Sequence, residues 1–243
     1  MPEHIAKYSE SFKIRASEVD TRGKATLPAL CSLFQEVAGN NALQLNFDIT
    51  QLHEQNLTWV LHRMDIHIER FPDWRETITI ETWPAAGDAL RAYRDYRILD
   101  EEGNQIGACL SYWMMINLET RRPTRMPKEI LEMGLETEEH VLPIKTDRLN
   151  PMDEFDDSRE FTVRKSDLDM NRHVNNARYV EWMMEPLPEE EAEAINRMDI
   201  VFVRESTAGD TIHAEYAKPE EGKITYQLKN QDGMLLALAE CLV

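Results

Sequence analysis

The chain has 243 residues, of which 42 % are hydrophobic, enough for one large domain or two small ones with a real core. Its formal net charge of −18 argues against nucleic-acid binding, and no apolar run is long enough to span a bilayer. The N-terminus has no apolar h-region, and the three cysteines are too far apart for a disulfide framework or a zinc pattern. These features predict a cytoplasmic protein whose cysteines, Cys31, Cys109 and Cys241, lie in the core.

The first half of the chain predicts one long helix followed by antiparallel strands. A strand-like stretch at Tyr8–Val19 precedes Leu27–Leu45, where apolar residues recur at helical spacing over a wide face and Pro28 falls in the first turn. Four strand candidates and a short helix then follow, at Trp59–Ile68, Glu76–Trp83, Arg91–Asp100, Gln105–Leu118 and Lys128–Met133. This order indicates a sheet wrapped around a helix, which is an α+β architecture.

The second half repeats the first. Four positions of the N-terminal stretch recur at a constant offset of 149 residues, and three later markers recur at offsets of 134 and 130. Ordered matches of this kind predict an internal duplication with a shorter second copy. The paired positions are Phe12, Arg15, Ser17 and Asp20 with Phe161, Arg164, Ser166 and Asp169, then Arg63–Ile66 with Arg197–Ile200, Thr77–Ile78 with Thr211–Ile212, and Gly103 with Gly233.

An irregular, acidic and Pro-punctuated segment separates the two copies. We therefore expect an N-terminal unit at residues 1–135, a linker at 136–158 and a C-terminal unit at 159–243.

The chemistry is concentrated in the second copy. Asp169, Asn171 and His173 stand at alternate positions, and in an extended chain alternate side chains point the same way, so we expect them on one side. Asn175 or Asn176 is a suitable helix N-cap, and the free N–H groups around Val174–Ala177 would suit a developing oxyanion.

The first copy keeps Asp20 but has no counterpart of Asn171 or His173, so only the second copy would hold an active site. The three residue types can also bind a metal, but no further His or Cys cluster accompanies them, and we expect no metal and no cofactor.

Three blocks of sequence resemble the acyl-acyl carrier protein thioesterases, the family of the plant plastid enzymes and their bacterial relatives. The blocks are Trp59–Leu61 with Arg63-Met64, Trp113–Met115 with Thr120–Arg122 and Pro127, and above all SDLDMNRHVNNARYVEW. The resemblance runs from about Phe12 to the end of the chain. It implies a double hotdog, in which each half is a helix wrapped by an antiparallel sheet.

The resemblance also implies the site residues. In this family the aspartate, asparagine and histidine of the third block are active-site residues, which here are Asp169, Asn171 and His173, and a glutamate in an Arg-Glu-Cys string matches Glu205. The cysteine of that string is Ser206 here, so a cysteine nucleophile is excluded at this position. Attack by water, assisted by Glu205 and His173, or attack by Ser206 are the two alternatives, and we favour water.

The implied function is the hydrolysis of fatty acyl-acyl carrier protein thioesters to free fatty acid in fatty acid biosynthesis. An acyl-CoA thioesterase, a hotdog dehydratase or hydratase and a non-catalytic acyl-thioester sensor are the competing functions. The arginines of the basic segment Leu118–Pro127 and of the strand candidate Arg91–Asp100 are candidates for contacting an acidic carrier protein or its phosphopantetheine phosphate: Arg121, Arg122 and Arg125, with Arg91, Arg94 and Arg97. The alternative is that they are solvated or pair with nearby acidic residues. A monomer and a homodimer through edge strands are both compatible with the sequence.

Overall fold

The structure, a computed structural model, describes residues 7–85, 87–133 and 140–243. The described residues form two compact units, one within Met1–Met64 and Ile68–Ile144 and the other comprising Asp65–His67 and Lys145–Val243. Part of the predicted linker, residues 136–139, lies outside the described residues. Its described part has neither helix nor strand until a strand begins at Asp157, two residues before the predicted unit boundary. The predicted boundaries themselves stay a prediction.

The first unit places one long helix against an antiparallel sheet. Helix α1, Leu27–Gln44, begins at the predicted residue, and the Thr26 hydroxyl caps it by accepting a hydrogen bond from the Ala29 N–H at 3.3 Å. The sheet order is β1-β3-β4-β5-β2, with β6 beside β5. The other elements are β1 Tyr8–Lys13, α2 Ile49–His53, β2 Leu57–Ile68, β3 Thr77–Ala85, β4 Arg91–Leu99, β5 Gln105–Asn117, β6 Arg122–Pro123 and α3 Lys128–Met133.

The wide apolar face of α1 is buried against this sheet, as predicted. Its residues Phe34 and Val37 have no exposed surface, and the Phe34 ring lies 5.0 Å from that of Tyr96 on β4. Burial of such a face is the main source of stability for a helix on a sheet. Cys31 on α1 is buried, as are Cys109 and Cys241, so the three cysteines are core residues as predicted.

The second unit repeats the order of the five main strands, without a counterpart of β6 among its described residues. Its sheet order is β8-β11-β10-β9-β7, which corresponds to β2-β5-β4-β3-β1 of the first unit. The predicted α+β fold, with two hotdog units, is confirmed. The elements are β7 Asp157–Thr162, α4 Asn176–Met184, α5 Glu189–Ala194, β8 Arg197–Phe202, β9 Thr211–Glu220, β10 Lys223–Asn230 and β11 Leu235–Leu242. The residues missing from the second copy shorten its central helix, because α4 has 9 residues where α1 has 18.

The predicted strand Tyr8–Val19 is too long. The strand ends at Lys13, and a single turn of 3-10 helix follows at Ala16–Glu18. The Glu18 carboxylate causes this break, because it accepts a hydrogen bond from the Arg15 backbone N–H at 2.7 Å and pairs with the Arg15 guanidinium. Arg164 and Asp167 form the same turn in the second unit. No helix of the described ranges is long and apolar enough to cross a membrane.

Candidate active site

The segment that carries Asp169, Asn171 and His173 is a closed turn rather than an extended strand. The Asp169 N–H donates to the His173 carbonyl at 2.8 Å, and flanking Leu168 and Val174 form a β-bridge. One oxygen of Asp169, Oδ1, accepts the N–H groups of Asn171 at 2.8 Å and His173 at 3.2 Å. The expectation of three side chains aligned by an extended chain is therefore wrong, because the aspartate binds the backbone of its own loop and folds it into an Asx-type turn.

The first unit contains the same turn without the chemistry. Asp20 Oδ1 accepts the N–H groups of Arg22 and Lys24, both at 2.9 Å, and the Asp20 N–H donates to the Lys24 carbonyl at 2.8 Å. Because a copy that lacks the asparagine and histidine needs this aspartate for its loop, Asp169 has at least a structural role. Arg172 in the second copy stands at the position of Gly23 in the first. The backbone is left-handed at both, with φ of 64° at Arg172 and 78° at Gly23, a conformation that favours glycine.

The structure brings His173 and Glu205 together. His173 closes the turn just before α4, and Glu205 lies in the segment after β8. The His173 Nε2 is 3.4 Å from the Glu205 Oε2, and the two side chains are 28 % and 38 % exposed. The pair can therefore exchange a proton with a water molecule or a bound substrate, which a fully buried pair could not.

The segment around Glu205 is held on both sides by the loop and helix that carry His173. The Tyr179 hydroxyl of α4 donates to the Arg204 carbonyl at 3.3 Å, and the Val174 N–H donates to the Ser206 carbonyl at 2.9 Å. These two hydrogen bonds flank Glu205 and fix its backbone relative to His173. Burial first, and then the negative charge of Glu205, raises the pKa of Tyr179, so its hydroxyl stays protonated and available as a donor.

Ser206 is part of this support. It is only 2 % exposed, and its hydroxyl donates to Asp210 Oδ2 at 2.7 Å. The Thr207 N–H donates to the same carboxylate oxygen at 2.8 Å. The hydrogen bond from Ser206, followed by that from Thr207, lowers the pKa of Asp210, so the carboxylate is ionised near neutral pH. Sequence reasoning missed the roles of both residues: Asp210 lies outside the motif that carries the resemblance, and Tyr179 lies within it but was not distinguished from the other residues of the helix.

The N-terminus of α4 offers fewer donors than predicted. Asn175 is the N-cap, as expected, and its side chain accepts the Ala177 N–H at 2.9 Å. The Asn175 N–H donates to the Asp167 carbonyl and the Val174 N–H to the Ser206 carbonyl. Three of the four N–H groups in Val174–Ala177 are thus already used, so the expectation of a general oxyanion site at this helix end is wrong for those three.

The remaining predicted residues differ in exposure. Asn171 is exposed at the turn. Arg121, Arg122 and Arg125 are exposed and compatible with a docking role. Arg94 is buried beneath α1, so its assignment to a docking surface is wrong. In the described ranges, no three His, Cys, Asp or Glu side chains are grouped as metal ligands would be.

Comparisons with known proteins identify the family of the chain. The family models of the acyl-ACP thioesterase N-terminal and C-terminal domains match residues 5–133 and 151–242. The oleoyl-acyl carrier protein thioesterases of Arabidopsis thaliana (thioesterase 1, chloroplastic) and Coriandrum sativum (chloroplastic) are 30 % and 32 % identical over 75 % of this chain. These matches cover 55 % and 54 % of the two relatives, so the chain spans about half the length of the curated relatives it matches.

Solved structures show the same fold over the whole chain. An acyl-ACP thioesterase from Bacteroides thetaiotaomicron superposes with a TM-score of 0.88 at 26 % identity, covering 97 % of both chains. The 12:0-ACP thioesterase from Umbellularia californica gives a TM-score of 0.85 at 24 % identity, covering 97 % of this chain and 96 % of its own, and supports the fold alone. With both family models matched in order along it, the chain belongs to the acyl-ACP thioesterase family.

Proposed function

We propose that this protein hydrolyses fatty acyl-acyl carrier protein thioesters to free fatty acid and carrier protein, in fatty acid biosynthesis. The observation that carries the proposal is the solvent-accessible His173–Glu205 pair, with 3.4 Å between Nε2 and Oε2, held in place by the hydrogen bonds on either side of Glu205. Relatives of the chain are named as oleoyl- and palmitoyl-acyl carrier protein thioesterases and as a dodecanoyl-[acyl-carrier-protein] hydrolase, which supports the same substrate class.

In the proposed mechanism Glu205, aided by His173, takes a proton from a water molecule. The water oxygen forms a bond to the thioester carbon, and the carbonyl oxygen becomes an oxyanion. The C–S bond then breaks, the fatty acid is released, and the thiolate takes up the proton from the His173–Glu205 pair. Because a thiolate is a good leaving group, the pair has to supply less acid assistance than an amide would need.

The other motif residues have supporting roles in this mechanism. Asn171, exposed at the turn, would bind the water or the carbonyl oxygen through its amide. Asp169 is a positioning residue, since its Oδ1 binds the backbone N–H groups of both Asn171 and His173. The N–H of Asn176, the one of the four at the start of α4 that is not engaged by the contacts described above, would help to bind the oxyanion.

Water is favoured over Ser206 as the nucleophile. The Ser206 hydroxyl is buried and donates a hydrogen bond to Asp210, so attack on a bulky thioester would require both a broken hydrogen bond and a movement of the segment. The contact of the His173 imidazole is with Glu205 rather than with the serine. The serine therefore contributes by fixing the position of the segment that carries Glu205.

The carrier protein is the proposed partner. An acyl carrier protein is acidic, and a chain with a net charge of −18 needs a local basic surface to bind it; Arg121, Arg122 and Arg125 are exposed candidates.

We further propose a cytoplasmic location and leave a homodimer as one of two assembly states. An acyl-CoA thioesterase with the same chemistry is the second candidate function.

The experiment compares turnover of Glu205→Gln, His173→Ala and a matched control. The control is Lys24→Ala, because Lys24 holds the position of His173 in the first copy and is paired with Asp73 at 2.7 Å. We expect roughly a 10²-fold or larger loss in the first two variants, as for the removal of a general acid or base, and near-normal turnover in the control. Normal turnover in both Glu205→Gln and His173→Ala would contradict the proposed mechanism.

A further inference from the structure

A buried arginine lies inside the first unit without a carboxylate partner among the described residues. Arg94 of β4 is 9 % exposed, and its Nη1 donates to Asn41 Oδ1 of α1 at 2.7 Å and to Thr82 Oγ1 of β3 at 3.2 Å. Burial lowers the pKa of Arg94 from its ordinary value, which is the expected effect of removing a cation from water. A buried cation is costly unless an anion or several acceptors compensate it.

Hydrogen-bond donors are in excess around this guanidinium. Both acceptors of Arg94 bind the same nitrogen, and Asn41 Nδ2 is buried with no acceptor among the residues that the structure describes. Ser111, directly opposite Arg94 on β5, accepts the indole N–H of Trp113 at 2.7 Å. The site therefore lacks acceptors, so a ligand that completes it must accept hydrogen bonds.

The second unit shows whether the fold needs an arginine at this position. In the second unit, Ile224 on β10 lies opposite Cys241 on β11, which are the positions of Arg94 and Ser111 in the first unit. Ile224 is 2 % exposed. The same fold is therefore built with a plain apolar residue at this point, and the arginine is not a requirement of the architecture.

Partly exposed apolar residues adjoin Arg94 on the same face of the sheet. Ala92, two residues from Arg94, pairs with Trp113, and both are half-buried. Ala92 also packs on the cluster around Met115 together with the half-buried Phe47 and Trp59. A ligand with an anionic head at Arg94 would thus find an apolar surface for an attached alkyl chain.

We propose that Arg94 and the neighbouring side chains form a binding site for the carboxylate of an aliphatic acid. A guanidinium presents parallel N–H groups that fit the two oxygens of a carboxylate, and the unused donors are on Arg94 and Asn41. The identification of the ligand with the free fatty acid product rests on the proposed function. Retention of the product in the first unit would slow turnover as fatty acid accumulates.

Calorimetric titration of the full chain tests the site without any hydrolysis. Decanoate, decan-1-ol and formate are the probes, and Arg94→Gln and Arg94→Met are compared with the wild type and with His173→Ala. We expect decanoate to bind at least 10-fold more tightly than decan-1-ol in the wild type and in His173→Ala, and this preference to disappear in both Arg94 variants, because a hydrogen-bonded charge pair is lost.

Three results would overturn the site. These are equal binding of acid and alcohol, an acid preference that survives in Arg94→Gln and Arg94→Met, or a response to formate as strong as that to decanoate, which would indicate a small-anion site only. Loss of the preference in His173→Ala alone would assign the carboxylate to the catalytic unit instead. Circular dichroism and thermal unfolding of each variant establish that it is folded before titration. Since no thioester is present, failure here leaves the proposed hydrolase intact, and failure of hydrolysis leaves this site intact.

Discussion

Replacing Asp20 and Asp169 separately tests whether the shared aspartate is structural, catalytic or both. Each carboxylate accepts two backbone N–H groups through one oxygen, at 2.9 Å and 2.9 Å for Asp20 and at 2.8 Å and 3.2 Å for Asp169. Hydrogen bonds to a charged group contribute about 1.5–3 kcal/mol each. Both turns are partly exposed, and water replaces part of the loss, so we expect alanine at either position to cost about 2 kcal/mol in total.

The assays are thermal unfolding and steady-state thioester hydrolysis. A loss of about 2 kcal/mol corresponds to a decrease in Tm of about 4–8 °C for a chain of this size. Asp20→Ala and Asp169→Ala should show similar decreases, whereas only Asp169→Ala should reduce kcat, because only that turn positions His173. The Asn variants keep the accepting oxygen and should recover most of the Tm. The reasoning is refuted if Asp169→Ala unfolds at the wild-type temperature, or if Asp20→Ala loses as much kcat as Asp169→Ala.

Three further outcomes follow from the same structure. Ser206→Ala should lower Tm but reduce turnover less than about 10-fold, well short of the loss in Glu205→Gln; a Ser206→Ala enzyme as inactive as Glu205→Gln would support a serine nucleophile instead. Although burial opposes ionisation, hydrogen bonds from Arg164 hold the pKa of Asp167 below its ordinary value. The stability that this carboxylate contributes is thus present above about pH 4 and lost as the pH falls, and the acid-induced decrease in Tm should be smaller in Asp167→Asn; an unchanged pH profile would contradict this. Burial raises the pKa of Cys31 to about 12, so a thiol reagent at pH 8 should label the folded protein negligibly and the denatured protein fully, whereas rapid labelling of the native chain would contradict burial of Cys31, Cys109 and Cys241.

The fold was predictable because its signals are local and repeated. The apolar spacing from Leu27 onward specifies α1, and the Arg15 and Asp20 positions recur at Arg164 and Asp169 with the same turns and hydrogen bonds. Periodicity reports which face of an element is buried, and an internal repeat reports that one unit occurs twice. Neither signal depends on contacts between distant parts of the chain.

The site was harder to predict, because side-chain hydrogen bonds decide its geometry. An alternating pattern suggested an extended segment at Asp169, but the carboxylate closes a turn by binding backbone N–H groups that a strand would leave unsatisfied. Glu205 is one acidic residue among 45 Asp and Glu, and only the family resemblance selected it before its contact with His173 was known.

The burial of Arg94 was not predicted, because the expectation rested on residue type alone. An arginine is mostly exposed in proteins, so the sequence indicated a surface group. The structure buries it against Asn41 and Thr82, which are remote in sequence. Asp210 likewise has no sequence signal, since its role depends on the Ser206 hydroxyl and the Thr207 N–H that surround its carboxylate.

Steady-state hydrolysis of matched acyl-acyl carrier protein and acyl-CoA substrates, from about eight to eighteen carbons, tests the central claim most directly, with Glu205→Gln as the control. We predict faster turnover on the carrier-protein thioester, lost by roughly 10²-fold or more in Glu205→Gln. Activity on acyl-CoA alone would keep the chemistry and contradict the proposed partner. No hydrolysis of either substrate by the wild-type chain would contradict the account.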